Sequence, residues 1–184
     1  EAELGITPNG YSEPDFCGWE LKQHNVGNLL RPESGGAITL MTPEPTAGYY
    51  REEGVEAFVR KFGYEDTQGR KDRLNFGGVH RLGQRQQRTG LALELMGYNV
   101  DTGKIEDTAG GVSLVSEEGE VAATWLYSDL MSHWNRKHAR AAYIPSKSKK
   151  DPELLYRYGP MIRLGLGTDF HHLLQAFQAG CVYY

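Results

Sequence analysis

Glycine pairs and glycine–proline steps cut this chain into short runs, which limits it to brief strands and a few helices. Gly35-Gly36, Gly77-Gly78, Gly110-Gly111, Glu118-Gly119 and Gly159-Pro160 are the main breaks. Between them, β-branched and aromatic residues favour strands over residues 19–22, 37–42, 74–80, 91–96, 112–115, 121–125, 141–144, 155–158 and 161–164. The stretch 112–125 reads as a hairpin turning at Glu117-Glu118-Gly119. Helices are expected in three places. Residues 51–62 space Val55, Phe58, Val59 and Phe62 as one buried stripe, and Gly63 stops them. Ser128 can cap a helix with Leu130, Met131 and Trp134 on one side and the basic end Arg136-Lys137-His138. Thr168 or Asp169 can cap a third, with Phe170, Leu173, Leu174 and Phe177 inward and Gly180 past its end. Strands interleaved with helices give a mixed α/β fold.

The 184 residues fit a single domain, and 39% hydrophobic residues can fill one sizeable core. No apolar run approaches the ~20 residues that cross a bilayer, and Glu1-Ala2-Glu3 has the wrong charge to open a signal peptide. Two cysteines, Cys17 and Cys181, point to a reducing cytoplasm rather than a disulfide scaffold. The opening Glu1-Ala2-Glu3-Leu4-Gly5 reads as the last turn of a helix with Gly5 just past it, so residues upstream of Glu1 are expected. The net charge is −4, but it is unevenly spread. Arg70, Lys71, Arg73, Arg81, Arg85 and Arg88 gather in one stretch, and Arg136, Lys137, Arg140, Lys147, Lys149 and Lys150 in another. Such a split can steer a polyanion to one face; solvated loops are the plainer reading.

The chemistry sits near the start. Pro14-Asp15 is followed, after four residues, by Glu20-Leu21-Lys22. On a strand, Glu20 and Lys22 share a face while Trp19 and Leu21 point the other way, into the core. Asp15 lies just across the turn around Cys17-Gly18. Two carboxylates are hard oxygen ligands suited to Mg²⁺, and a lysine beside them can contact a phosphate and an attacking water. Glu-x-Lys by itself carries little, since roughly one such triplet arises by chance in a chain of this length.

Pro14-Asp15-x4-Glu20-x-Lys22 resembles the PD-(D/E)xK nuclease signature. Glu1-Ala2-Glu3-Leu4-Gly5 before it and Gly18-Trp19-Glu20-Leu21-Lys22 within it resemble, more narrowly, the MvaI/BcnI restriction endonucleases, relatives of the mismatch-repair nickase MutH. The resemblance implies a restriction-endonuclease-like core: a mixed β-sheet flanked by helices, with two lobes around a DNA cleft, residues 1–184 forming one endonuclease domain that lacks upstream N-terminal helices. It implies Glu1, Asp15, Glu20 and Lys22 as the catalytic set, with Glu3 as the alternative to Glu1. Asp15, Glu20 and the Leu21 carbonyl would hold Mg²⁺, which Mn²⁺ can replace.

Double-stranded DNA is the implied partner, for a monomer or weak dimer in a bacterial cytoplasm. Arginine bonds guanine bidentately and glutamine bonds adenine, so the stretch 80–88, with His80, Arg81, Gln84, Arg85 and Arg88, fits a reading loop held between two strands. Lys71 and Arg73 are expected to bind DNA too, and Arg136, Lys137, Arg140, Lys147, Lys149 and Lys150 fit phosphate contacts or solvated surface. His171 and His172 point about 100° apart on a helix and cannot share an ion. The expected activity is Mg²⁺-dependent DNA hydrolysis leaving 5′-phosphate ends. The alternatives are a MutH-like repair nickase and a catalytically silent DNA-binding module of the same fold.

Overall fold

The computed structural model describes residues 4–6, 13–32 and 36–184. In chain order the elements are β1 (Glu20–Asn25), α1 (Tyr49–Phe62), β2 (Tyr64–Glu65), β3 (Leu74–Asn75), β4 (Ala92–Met96), β5 (Tyr98–Asn99), β6 (Lys104–Ile105), β7 (Gly111–Val115), β8 (Val121–Leu126), α2 (Tyr127–His138), β9 (Arg140–Lys150), β10 (Leu154–Tyr158), β11 (Arg163–Leu166) and α3 (Phe170–Gln178). They form a mixed α/β fold in two compact units, one of Glu1–Thr42 with Ser132–Asp169 and one of Pro43–Met131 with Phe170–Tyr184. Among the described residues no helix is long and apolar enough to cross a membrane.

The first unit is built on β9. β1 pairs with it in parallel, Glu20 opposite Ala141 and Asn25 opposite Ser146. β10 and β11 pair with it antiparallel, β10 along Ser146–Lys150 and β11 along Arg140–Tyr143. The sheet is therefore mixed. Residues 37–42, expected as a strand, join no ladder among the described residues. Within this unit the Leu40 carbonyl is instead taken by the His138 ring.

The second unit carries the antiparallel sheet β4-β7-β8. The β7–β8 hairpin turns through residues 116–120 as expected, with Gly119 at φ 83°. Leu91, Leu93, Leu114 and Ala122 are completely enclosed, and α3 buries Phe170, Leu173, Leu174 and Phe177 as its spacing requires. In α1, Phe58 and Phe62 are buried but Val55 is exposed. Gly54 (φ 85°) interrupts the helix just before it, so the first turn is out of phase with the stripe. Met131 is exposed too, because Tyr127, Leu130 and Trp134 form the buried side of α2. The run 74–80 keeps only two residues of strand; Gly77 and Gly78 (φ 118°) end it.

Candidate active site

β1 is entered through a two-residue turn. Phe16 N–H donates to the Trp19 carbonyl at 3.0 Å, and Trp19 N–H to the Phe16 carbonyl at 2.8 Å. Between them Cys17 (φ 48°) and Gly18 (φ 77°) both take positive φ, the conformation of tight hairpin turns. Glycine adopts it freely, whereas Cys17 does so at a cost of about 1 kcal/mol. The turn brings Asp15 back beside β1, where its Oδ2 accepts the Leu21 N–H at 2.8 Å. Since Leu21 follows Glu20, both carboxylates lie at the start of one strand.

Glu20 is only 2% exposed, while Trp19 and Leu21 are half-buried. The acid is thus more deeply covered than the apolar residues expected to anchor the strand. Its cover is cationic: Glu20 Oε1 lies 2.7 Å from Lys22 Nζ and 3.6 Å from Lys137 Nζ. Glu20 Oε2 is buried with no hydrogen-bond partner among the described residues. A buried oxygen left this way carries a desolvation cost, which a cation bound there would offset. Among the described residues no group of three or more His, Cys, Asp or Glu side chains gathers at one point. Asp15 and Glu20 fit Mg²⁺ all the same, because that ion takes one or two carboxylates and fills its shell with water and phosphate oxygens. Glu1 and Glu3 lie outside the described residues.

Lys137 was expected on the DNA rather than on Glu20. Nothing in its sequence neighbourhood gives this away beyond the basic helix end. One turn earlier on α2, burial and then the charges of Lys137 and Arg136 hold the His133 pKa below its ordinary value. His138 is enclosed, stacked on Trp134 at 4.1 Å, with its Nε2 3.0 Å from the Leu40 carbonyl. Burial, seconded by the Lys22 charge, pushes its pKa down to about 4, so the ring is neutral and donates that bond.

The second unit's stretch 80–88 is fixed differently from a hairpin tip. Gln86 Oε1 accepts the backbone N–H groups of Arg88 (2.6 Å) and Thr89 (2.8 Å). His80 was expected among the DNA contacts. It is instead fully enclosed, its Nε2 2.9 Å from Thr89 Oγ1, and burial lowers its pKa. A side chain so placed has no edge to offer a base. Arg81 donates to the Gly180 carbonyl at 2.9 Å and lies over the Tyr183 ring, while Arg85 donates to the Gly90 carbonyl at 2.6 Å. Gln84, Arg85, Arg88, Lys71 and Arg73 are exposed. Arg136 and Arg140 are exposed in the first unit, where Arg140 lies on the sheet face opposite Glu20.

The first unit thus combines a mixed sheet with Asp15, Glu20 and Lys22 gathered near the start of β1. The sequence profile of the MvaI/BcnI restriction endonuclease family matches residues 1–184, and the chain belongs to that family. Its structure is similar to a solved restriction endonuclease MvaI–cognate DNA substrate complex, with a TM-score of 0.66 and 16% identity, over 96% of this chain and 66% of that one. It is similar also to restriction endonuclease MvaI in the absence of DNA, with a TM-score of 0.50 and 15% identity, over 91% of this chain and 68% of that one. The chain thus spans about two thirds of the length of those proteins, and at such identities the likeness is one of fold. No curated protein matches it in sequence.

Proposed function

We propose that this chain is a Mg²⁺-dependent DNA endonuclease of the restriction type, its two units working as one endonuclease domain. The observation that carries the reading is the half-satisfied Glu20 carboxylate beside Asp15, with Oε1 on two lysines and Oε2 buried without a partner among the described residues. Asp15, Glu20 and the Leu21 carbonyl would hold Mg²⁺ or Mn²⁺. When bound, the ion supplies Lewis-acid charge to the scissile phosphate and makes water more acidic. Lys22 orients the attacking water and contacts a phosphate oxygen. Lys137 adds a second positive charge where the phosphate becomes more negative. Water oxygen bonds to phosphorus, the bond from phosphorus to the 3′ oxygen breaks, and a proton from the water ends on that oxygen. The products are a 5′-phosphate and a 3′-hydroxyl.

Base reading is assigned to the exposed side chains of the second unit, Gln84, Arg85 and Arg88, with Lys71 and Arg73 on phosphates. Family membership supports a DNA substrate, as does the crystallisation of MvaI with its cognate DNA. The test is incubation of supercoiled plasmid with Mg²⁺ or with EDTA, followed by sequencing of the ends. Linear DNA with 5′-phosphates in Mg²⁺ alone supports the proposal. Nicked circles alone make the protein a nickase, and binding without cutting makes it a silent module.

A further inference from the structure

β9 outruns its parallel partner. β1 covers only Ala141–Ser146, and beyond that point Lys147–Lys150 pair with β10 alone. Side chains of paired residues share a face, and successive residues alternate. The face of Glu20 and Lys22 carries Ala141 and Tyr143 on β9, and two residues at a time it continues to Pro145, Lys147 and Lys149. On β10 the same face carries Arg157, directly opposite Lys147. Lys150, Tyr156 and Tyr158 fall on the other face. Lys147, Lys149 and Arg157 are all exposed.

Two facts make this more than a solvated edge. Like charges directly opposite across a strand pair destabilise it, and Lys147 and Arg157 are such a pair. Among the described residues neither forms an ion pair with a carboxylate; Lys149 meets Asp151 at 3.0 Å, with both groups mostly in water, where such a pair contributes little. At ~3.3 Å per residue, Lys147 and Lys149 stand roughly 13 and 20 Å along the strand from the register of Lys22. That is about half a turn of B-form duplex, at ~34 Å per turn.

We propose that Lys147, Lys149 and Arg157 form a phosphate track for the DNA backbone flanking the scissile bond. A duplex laid there offsets the repulsion that the sheet otherwise carries. The proposal rests on the endonuclease reading and adds to it the part of the first unit that grips DNA away from the cut.

Binding of a short mixed-sequence DNA duplex is measured in EDTA over a range of salt concentrations. Each phosphate contact contributes about 0.9 to the slope of log affinity against log salt. The double variant Lys147→Ala/Arg157→Ala should lower that slope by about 2, alike for different sequences, while Lys150→Ala, on the same hairpin but the opposite face, leaves it unchanged. On the unmutated protein, DNA should shield Lys147 and Lys149 from acetylation and leave Lys150 reactive, a readout that needs no variant to fold. Equal slopes for all the proteins, or equal shielding of the three lysines, overturns the track. If the unmutated protein still cuts with Mg²⁺, the endonuclease reading survives that result. Failure of the unmutated protein to bind any duplex overturns both.

Discussion

Lys137, near the end of α2, places its ammonium 3.6 Å from the same Glu20 oxygen that Lys22 holds at 2.7 Å. Among the described residues, one buried carboxylate thus has two cations on one oxygen and none on the other. If Lys137 adds charge at the scissile phosphate, Lys137→Met should slow cutting about 100-fold, the effect of losing one electrostatic partner of a transition state. Lys137→Arg should recover part of the rate. Single-turnover cleavage rates at saturating Mg²⁺ measure both; a Met variant with the parent's rate removes Lys137 from the chemistry.

The two carboxylates should act together on the ion. If Asp15 and Glu20 are the two ligands proposed above, Asp15→Asn and Glu20→Gln should each abolish saturable Mn²⁺ binding by titration calorimetry at concentrations where the parent binds. Retained binding in both variants would move the metal elsewhere.

The turn that aims Asp15 sets a separate expectation. Cys17 and Gly18 both take positive φ, and among the described residues beyond its chain neighbours no atom lies within 4 Å of where a Gly18 Cβ would stand. Cys17→Gly should therefore raise stability to chemical denaturation by about 1 kcal/mol, with cutting intact. Gly18→Val should cost activity, since a β-branched residue resists this conformation and the turn would shift Asp15 off the Leu21 N–H. A Cys17→Gly variant that no longer cuts would instead assign the thiol a role.

His138 makes stability depend on pH. Its folded pKa, about 4, is below the ordinary value of 6.5, so the unfolded chain binds the extra proton between those values. Its contribution is complete above pH 6.5 and is lost as pH falls toward 4, on the order of 3 kcal/mol in all. His138→Gln should flatten that part of the profile in urea unfolding measured from pH 7 to pH 4.5. An unchanged slope would show that the ring protonates without cost.

His80 and Gln84 sit four residues apart and should behave oppositely. His80→Ala removes an enclosed ring and its bond to Thr89, so it should destabilise the protein by about 2 kcal/mol and leave the cleavage sequence alone. Gln84→Ala should leave stability alone and loosen sequence preference, as read from cleaved ends of a plasmid library.

The opening motif was legible because it is local. Alternation along residues 19–22 and the Cys17-Gly18 turn fix where Asp15, Glu20 and Lys22 go with little help from the rest of the chain. The α3 stripe was legible for the same reason, since its four apolar residues follow one helical period. Residues 37–42 carry strand-favouring side chains but join no ladder among the described residues, although β1 has only one partner, β9, so strand propensity alone did not decide the pairing. The approach of Lys137 to Glu20 joins residues far apart in the sequence, which no local pattern encodes. His80 was misplaced because a polar residue in a basic stretch looks exposed until Thr89 and the C-terminal Tyr184 are seen to close over it.

The most direct test is plasmid cleavage in Mg²⁺ by the parent chain and by Lys22→Ala, with duplex binding measured for both. The account predicts that the parent cuts, that EDTA stops it, and that Lys22→Ala still binds the duplex but does not cut. Cutting by Lys22→Ala at the parent's rate would contradict it.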